Sequence, residues 1–208
     1  GSIVGHILGD GSIDKRYKQI SFSNSNKFLL KEFSDYMKKI FKIRPRIWMQ
    51  KEPDFGNTEW DRKLKEIDEL LEGRNCSLFY PTICGVILNL LFDNFAIGKK
   101  KKITEKILDT DKNFKKGLIR AFYDNECNVN KSGFIRLFQD RKEVLETFRA
   151  ILKEFNIETG QIKTYIKKDK NRYYFNIYGK DNFLKFYKKI GLTSPKKAER
   201  LNKLIHLI

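Results

Sequence analysis

At 208 residues the chain is long enough to bury one large core or two cores of about 100 residues each, and 43 Lys plus Arg against 26 Asp plus Glu give it a formal charge of +17. That charge runs along the whole chain instead of collecting in a tail, which points to a polyanionic partner, nucleic acid first. Three cysteines without CxxC spacing argue against a disulfide framework or a zinc knuckle, and the longest apolar stretch, TICGVILNLLF, is about half of what a membrane span needs.

In chain order, IVGHILGDGSI (residues 3–13) opens as an apolar helix with Gly5 and Gly9 four apart, and it closes on Asp10 set before Gly11. Strands are expected near 12–15 and 17–23, a helix over about 25–42, strands near 44–50 and 76–80, and a helix over about 82–94. Within this half, TEWDRKLKEIDELLEG places Trp60, Leu64, Ile67 and Leu71 at helical spacing and predicts an inserted helix over about 58–72. Gly98 stops the helical pattern, and residues 99–102 form a basic run in the linker that either stays solvated or touches phosphate. The first eight residues lack the basic flank of a secretion signal, so an intracellular location is expected. The Lys-, Ile- and Glu-rich composition fits a prokaryotic, archaeal or thermophilic cytoplasm, with an organelle as the alternative.

The opening pattern then returns as GLIRAFYDNECNV (residues 117–129). Laying Asp10 over Glu126 puts Gly5 on Ala121, Gly9 on Asn125, Gly11 on Cys127 and Ile13 on Val129. With one residue of slippage, Asn24 falls on Gln139, Lys27 on Lys142, Leu30 on Leu145 and Phe33 on Phe148. Strands are expected near 128–131, 133–139, 160–168 and 171–178, with helices over about 141–155 and 180–190. Two halves, 1–105 and 106–208, therefore share one plan: helix, two strands, helix, two strands, helix. The fold class is α+β, with an antiparallel four-stranded sheet in each half.

This repeated pair resembles the LAGLIDADG homing endonucleases, in the form where one chain carries two motifs, and the resemblance covers nearly the whole chain. It implies a monomeric pseudo-dimer of αββαββα halves whose sheets form a DNA-binding saddle. The motif helices would pack at the interface through Gly5, Gly9 and Ala121, so that the backbones approach closely. It implies site-specific hydrolysis of both strands of double-stranded DNA at a long asymmetric target, with Mg²⁺ or Mn²⁺ as cofactor, because metals held by carboxylates activate water and stabilise the leaving oxygen. Asp10 and Glu126 are then the catalytic acids and metal ligands, Gly9 and Asn125 further metal positions, and Asn24 and Gln139 the polar side chains that position water. The basic residue that relatives carry near the scissile phosphate is absent directly after Asn24 and Gln139, where Ser25 and Asp140 stand; Lys15 and Lys131 are the substitutes in this chain. Asp124 is secondary, being on a different helical face from Glu126, and His6 reads as a core or interface histidine. Gly11 is expected to free the turn from helix into strand.

Strand alternation gives the expected DNA face: Arg46, Trp48 and Gln50 in the first half, Gln161, Lys163 and Tyr165 in the second, joined by Lys131, Arg136 and Arg172. Ile47, Met49, Ile162 and Ile166 are expected to point to the core. Other readings are a catalytically degenerate nucleic-acid-binding relative, an RNA maturase acting on intron RNA, and the endonuclease part of an intein. Retention of both acids favours the enzyme.

Overall fold

The computed structural model describes residues 1–50, 60–71, 74–98, 100–167 and 170–207. The chain divides into two compact units, Ser2–Asp109 and Thr110–Ile208. Both are α+β, and all their strand pairs are antiparallel. Among the described residues no helix is long and apolar enough to cross a membrane.

In the first unit α1 (Ser2–Leu8) leads into β1 (Gly11–Ile13), followed by β2 (Ile20–Asn24), α2 (Lys27–Phe41), β3 (Arg46–Gln50) and β4 (Trp60–Leu64). A 3₁₀ turn (Ile67–Glu69), β5 (Cys76–Tyr80), α3 (Thr82–Leu91), the strand pair β6 (Ala96–Ile97) and β7 (Lys100–Lys101), and α4 (Glu105–Leu108) complete it. The main sheet has the order β1-β2-β5-β3-β4. Asn26 starts α2 by accepting the Phe28 N–H at 3.0 Å, and Lys42 ends it in the left-handed region. Ile20, Phe22, Ile47, Met49, Leu78 and Tyr80 make the buried sheet face, beneath Leu29, Leu30, Phe33 and Met37 of α2.

The second unit repeats the scheme. It runs α5 (Lys112–Glu126), β8 (Cys127–Asn130), β9 (Phe134–Gln139), α6 (Lys142–Glu154), β10 (Lys163–Lys167), β11 (Lys170–Tyr178), α7 (Lys180–Lys189) and α8 (Pro195–Leu207), with sheet order β10-β11-β9-β8. Ile135, Leu137, Phe175 and Ile177 form its inner face, and Leu145 and Phe148 of α6 are buried as their counterparts Leu30 and Phe33 are. Phe122 stacks on Phe148 at 4.2 Å. His6, its counterpart by the repeat, packs edge-on against Phe33 at 5.7 Å and Phe22 at 5.1 Å, with Nε2 3.1 Å from a Glu32 carboxylate oxygen. His6 is thus a core ring with a polar handle.

The first sheet has five strands instead of the expected four, because β4 adds to the edge of β3, and four further expectations need correction. The predicted helix over 58–72 is not formed: Trp60–Leu64 is a strand on the edge of β3, and only Ile67–Glu69 turns helically; residues 58, 59 and 72 lie outside the described set. Pairing with β3 sets Leu64 opposite Ile47 on the buried face, whereas Leu71 stays exposed, so the helical spacing had no apolar surface to serve. Gln50 does not join the exposed row, because the ladder shifts register between Met49 and Gln50 and leaves Gln50 6 % exposed. Ile166 is 73 % exposed instead of buried, on the edge strand β10.

The fourth correction concerns Gly11, which is not in the left-handed region, so no turn demands its freedom. Space does: a Cβ there would stand 2.6 Å from Ile7 Cα and 3.2 Å from the Ser21 carbonyl oxygen, where β1 doubles back against α1. Its counterpart Cys127 has room for a side chain in ordinary extended backbone (φ −91°, ψ 154°). Gly11→Ala is therefore expected to destabilise the protein by about 1–3 kcal/mol, read as a lower urea midpoint; an unchanged midpoint would show that β1 can draw back freely.

Candidate active site and nucleic-acid interface

The first acid stands where α1 gives way to β1. Asp10 is exposed, and its Oδ2 accepts from Asn24 Nδ2 at 2.8 Å. Asn24 is itself held, since its Oδ1 accepts the Asn26 N–H at 2.8 Å. The last turn of β2 and the cap of α2 thereby fix the amide that orients the carboxylate. One residue before Asp10, the Gly9 carbonyl accepts from the Lys101 ammonium, which β7 delivers.

The second acid, Glu126, is the final residue of α5 and half-buried. Asn125 turns back on its own helix and donates from Nδ2 to the Ala121 carbonyl at 2.8 Å, while Gln139 Oε1 accepts the Asp140 N–H at 2.8 Å. Asp124, only 2 % exposed, accepts the N–H groups of Thr193 and Ser194 at 2.8 and 3.0 Å and so caps the start of α8. In return α8 sends Lys197 to the carbonyls of Asp124 and Tyr123, at 2.6 and 3.3 Å. Burial pushes the Cys127 thiol up to about 12, which keeps it neutral.

Sequence reasoning missed both lysines. Lys15 and Lys131 are exposed, at the ends of β1 and β8 remote from the acids. Lys101 and Lys197 instead reach the carbonyl ends of the motif helices, each from the segment that follows its unit's last sheet-covering helix. The available signal was the lysine run 99–102 and the lysine pair 196–197, at those two places in the repeat.

Among the described residues no three His, Cys, Asp or Glu side chains are grouped to hold a metal. The donors at the helix ends are carboxylate and carbonyl oxygens, the chemistry of a hard divalent cation that keeps waters and takes substrate phosphate as further ligands. The ammonium on Gly9 marks that carbonyl as a place for positive charge. The residues present fit Mg²⁺ or Mn²⁺.

The outer faces of the two sheets differ in kind. In the first unit Ser12 bonds Ser21 at 2.8 Å and Ser23 bonds Ser77, beside the exposed Arg46 and half-buried Trp48 and Phe79. In the second, Phe134, Phe138, Tyr165, Tyr174 and Tyr178 surround Arg136, with ring centroids about 6 Å apart. Lys163 and Gln161 are exposed nearby, Gln161 just before β10, and Arg172 is paired with Asp140 at 2.5 Å.

The LAGLIDADG-like domain family matches residues 2–84 and 113–191, one stretch in each unit. The chain is 27 % identical over 207 residues to the replication factor C small subunit of Thermococcus kodakarensis and 26 % identical over 210 residues to the DNA-directed RNA polymerase subunit Rpo1C of Methanocaldococcus jannaschii. These alignments take in 97 % and 99 % of this chain but only 20 % and 21 % of those proteins, so the chain spans about a fifth of their length. The crystal structure of I-DmoI in complex with DNA and Ca shares the fold, with a TM-score of 0.61 over 97 % of this chain and 95 % of that one at 15 % identity.

The clamp on α8 generates a prediction. Asp124→Ala removes the carboxylate that accepts the Thr193 and Ser194 N–H groups and is expected to cost about 1–3 kcal/mol, with faster amide hydrogen exchange concentrated in residues 193–207. Uniform exchange across the second unit would mean that Asp124 does not anchor α8.

Proposed function

Because the chain belongs to the LAGLIDADG family, we propose that it is a site-specific, divalent-metal-dependent endonuclease of double-stranded DNA, with one catalytic carboxylate from each half. The observation that carries the reading is the repeated helix end: an acid, a polar residue on the second strand of the sheet, and a lysine on the last carbonyls. In each half the acid and the carbonyl before it, Asp10 with Gly9 and Glu126 with Asn125, would hold Mg²⁺ or Mn²⁺, which would supply Lewis-acid stabilisation of the phosphodiester oxygens. Asn24 holds Asp10 in one orientation, which spares the carboxylate the entropy of finding it. Lys101 and Lys197 place positive charge beside each acid and are better situated than Lys15 or Lys131 to favour the phosphorane-like charge of the transition state. The basic outer faces hold the duplex, with Arg46, Trp48, Gln161, Lys163 and Tyr165 as contact residues and a monomer as the acting species.

The matched relatives support a mobile element as the setting. A replication factor and a polymerase subunit have different names and tasks, yet each contains a stretch matching nearly all of this chain within a fifth of its own length. A module housed in unrelated hosts fits an intein- or intron-borne nuclease. An RNA maturase of the same fold would prefer structured intron RNA to any duplex.

Incubation with the host locus lacking the element, in Mg²⁺, tests the reading. Asp10→Asn and Glu126→Gln should each lower double-strand cleavage about 100-fold or more, while gel-shift affinity stays within a factor of a few. Unimpaired cutting by either variant removes that residue from catalysis.

The two strand-borne polar residues are used differently: Asn24 donates to Asp10, whereas Gln139 Oε1 is turned to a backbone N–H. The strands should therefore be cut at unequal rates, nicked plasmid accumulating before linear product. Asn24→Ala should narrow the difference by slowing the faster strand; direct conversion to linear DNA in both proteins would contradict the asymmetry.

A further inference from the structure

We infer that Arg136 is a specificity residue that reads one guanine through its terminal guanidinium nitrogens, with Asn176 as the positioning residue that holds it; this deepens the duplex-DNA reading above and rests on it. The starting observation is a buried amide in an unexpected place. Asn176 is 4 % exposed, yet it lies on the outer face of the second sheet, directly opposite Arg136 in the β9–β11 pair. A buried amide without partners costs roughly 1–3 kcal/mol, so its hydrogen bonds indicate its task. Oδ1 accepts the Arg136 Nε–H at 2.7 Å, and Nδ2 donates to the Tyr178 hydroxyl. Tyr178 thereby selects the amide orientation that presents oxygen to the arginine.

The guanidinium is held on its faces as well. Its Cζ lies 4.2 Å from the Tyr174 ring centroid and 4.5 Å from that of Phe134. Nε is thus engaged, and the Nη1 and Nη2 hydrogens have no hydrogen-bond partner among the described residues. Those two nitrogens are one fork that matches O6 and N7 of guanine in the major groove. A free arginine gives up rotamer entropy to make that contact, whereas one stacked and pinned at Nε has already given it up.

Position separates base reading from phosphate binding. β9 is an inner strand in the order β10-β11-β9-β8, so Arg136 stands within the face and not at its margin, where phosphate-holding side chains belong. Arg172 is the contrasting case, with its guanidinium spent on Asp140 at 2.5 Å. The rings around Arg136 offer few competing donors, which leaves it the dominant hydrogen-bonding group on that part of the sheet.

The test is selection of binding sites from a randomised duplex pool in the presence of a chelator, with the wild-type chain and the Arg136→Lys, Asn176→Asp and Asn176→Ala variants. Wild type should enrich a motif containing one guanine preferred about 10- to 100-fold over other bases. Arg136→Lys keeps the charge and loses the fork; it should flatten that position to under about 3-fold and leave the other positions intact. Asn176→Asp keeps an acceptor for Nε and should retain the guanine, while Asn176→Ala should weaken it. If Arg136→Lys does not fold, the contrast between the two Asn176 variants carries the same test. An unchanged motif in every variant, or a uniform loss of affinity at all positions, overturns the inference. A motif that is bound and never cleaved overturns only the endonuclease, and no motif at all overturns the duplex-DNA reading together with the inference.

Discussion

A carboxylate at the C-terminal end of a helix is in the wrong place electrostatically. The unpaired carbonyls there carry partial negative charge, so an acid is disfavoured where a lysine would be stabilised by about 0.3–1 kcal/mol. This chain puts Asp10 just past α1 and Glu126 at the last position of α5, and in both cases it brings a lysine from far along the sequence to the same carbonyls. The acid's position makes the lysine necessary, and the lysine's origin dictates what must fold behind it. In the first unit that is the β6–β7 strand pair; in the second it is α8, itself fastened by Asp124. Each acid and its compensating charge thus come from opposite ends of each unit, and neither helix end is settled until the unit is complete.

The same scheme is met with different side chains where packing allows. His6 and Phe122 occupy one ring position against Phe33 and Phe148, but only the imidazole also meets a carboxylate, that of Glu32. Gly11 and Cys127 follow the two acids in similar extended strands; the glycine is there because α1 leaves no space for a Cβ, and the cysteine fills a buried site as a neutral thiol. The repeat preserves the place of each acid at the end of its motif helix, while the polar partners and the space around the acids have diverged.

What the sequence revealed was whatever is local or periodic. The repeated apolar helix, the two acids, the equivalence of Leu30 with Leu145 and Phe33 with Phe148, and most strand limits to within a few residues follow from pattern alone. The failures have one physical character, since each depends on a partner distant in sequence. Trp60–Leu64 carries helical spacing and becomes a strand because β3 offers an open edge; Gln50 is turned inward by a register shift that no alternation can announce. Lys101 lies in a linker run legible only as solvated or phosphate-touching charge and Lys197 only as surface charge, because the carbonyls they meet lie in the motif helices at the beginnings of their repeats. Asp124 caps α8 through Thr193 and Ser194, and that service depends on an element the pattern did not predict.

The outer faces bear on recognition in a way that neither acid does. Serine hydroxyls paired across β1, β2 and β5 make a low polar surface whose donors are partly spent on one another, leaving Arg46 and Trp48 on β3 to project from it. The second face is built of rings, which contribute apolar contact to base methyls and few hydrogen bonds. A surface with few donors discriminates by how firmly those few are held, because an unpaired or mobile donor gives up in entropy what it gains in contact. On that face Asn176 and the flanking rings make one arginine rigid, so selectivity concentrates at a single point. The first face combines paired serine hydroxyls with Arg46 and Trp48 on β3. Two halves with one backbone plan therefore present different outer faces, and under the proposed duplex-DNA function that difference calls for an asymmetric target.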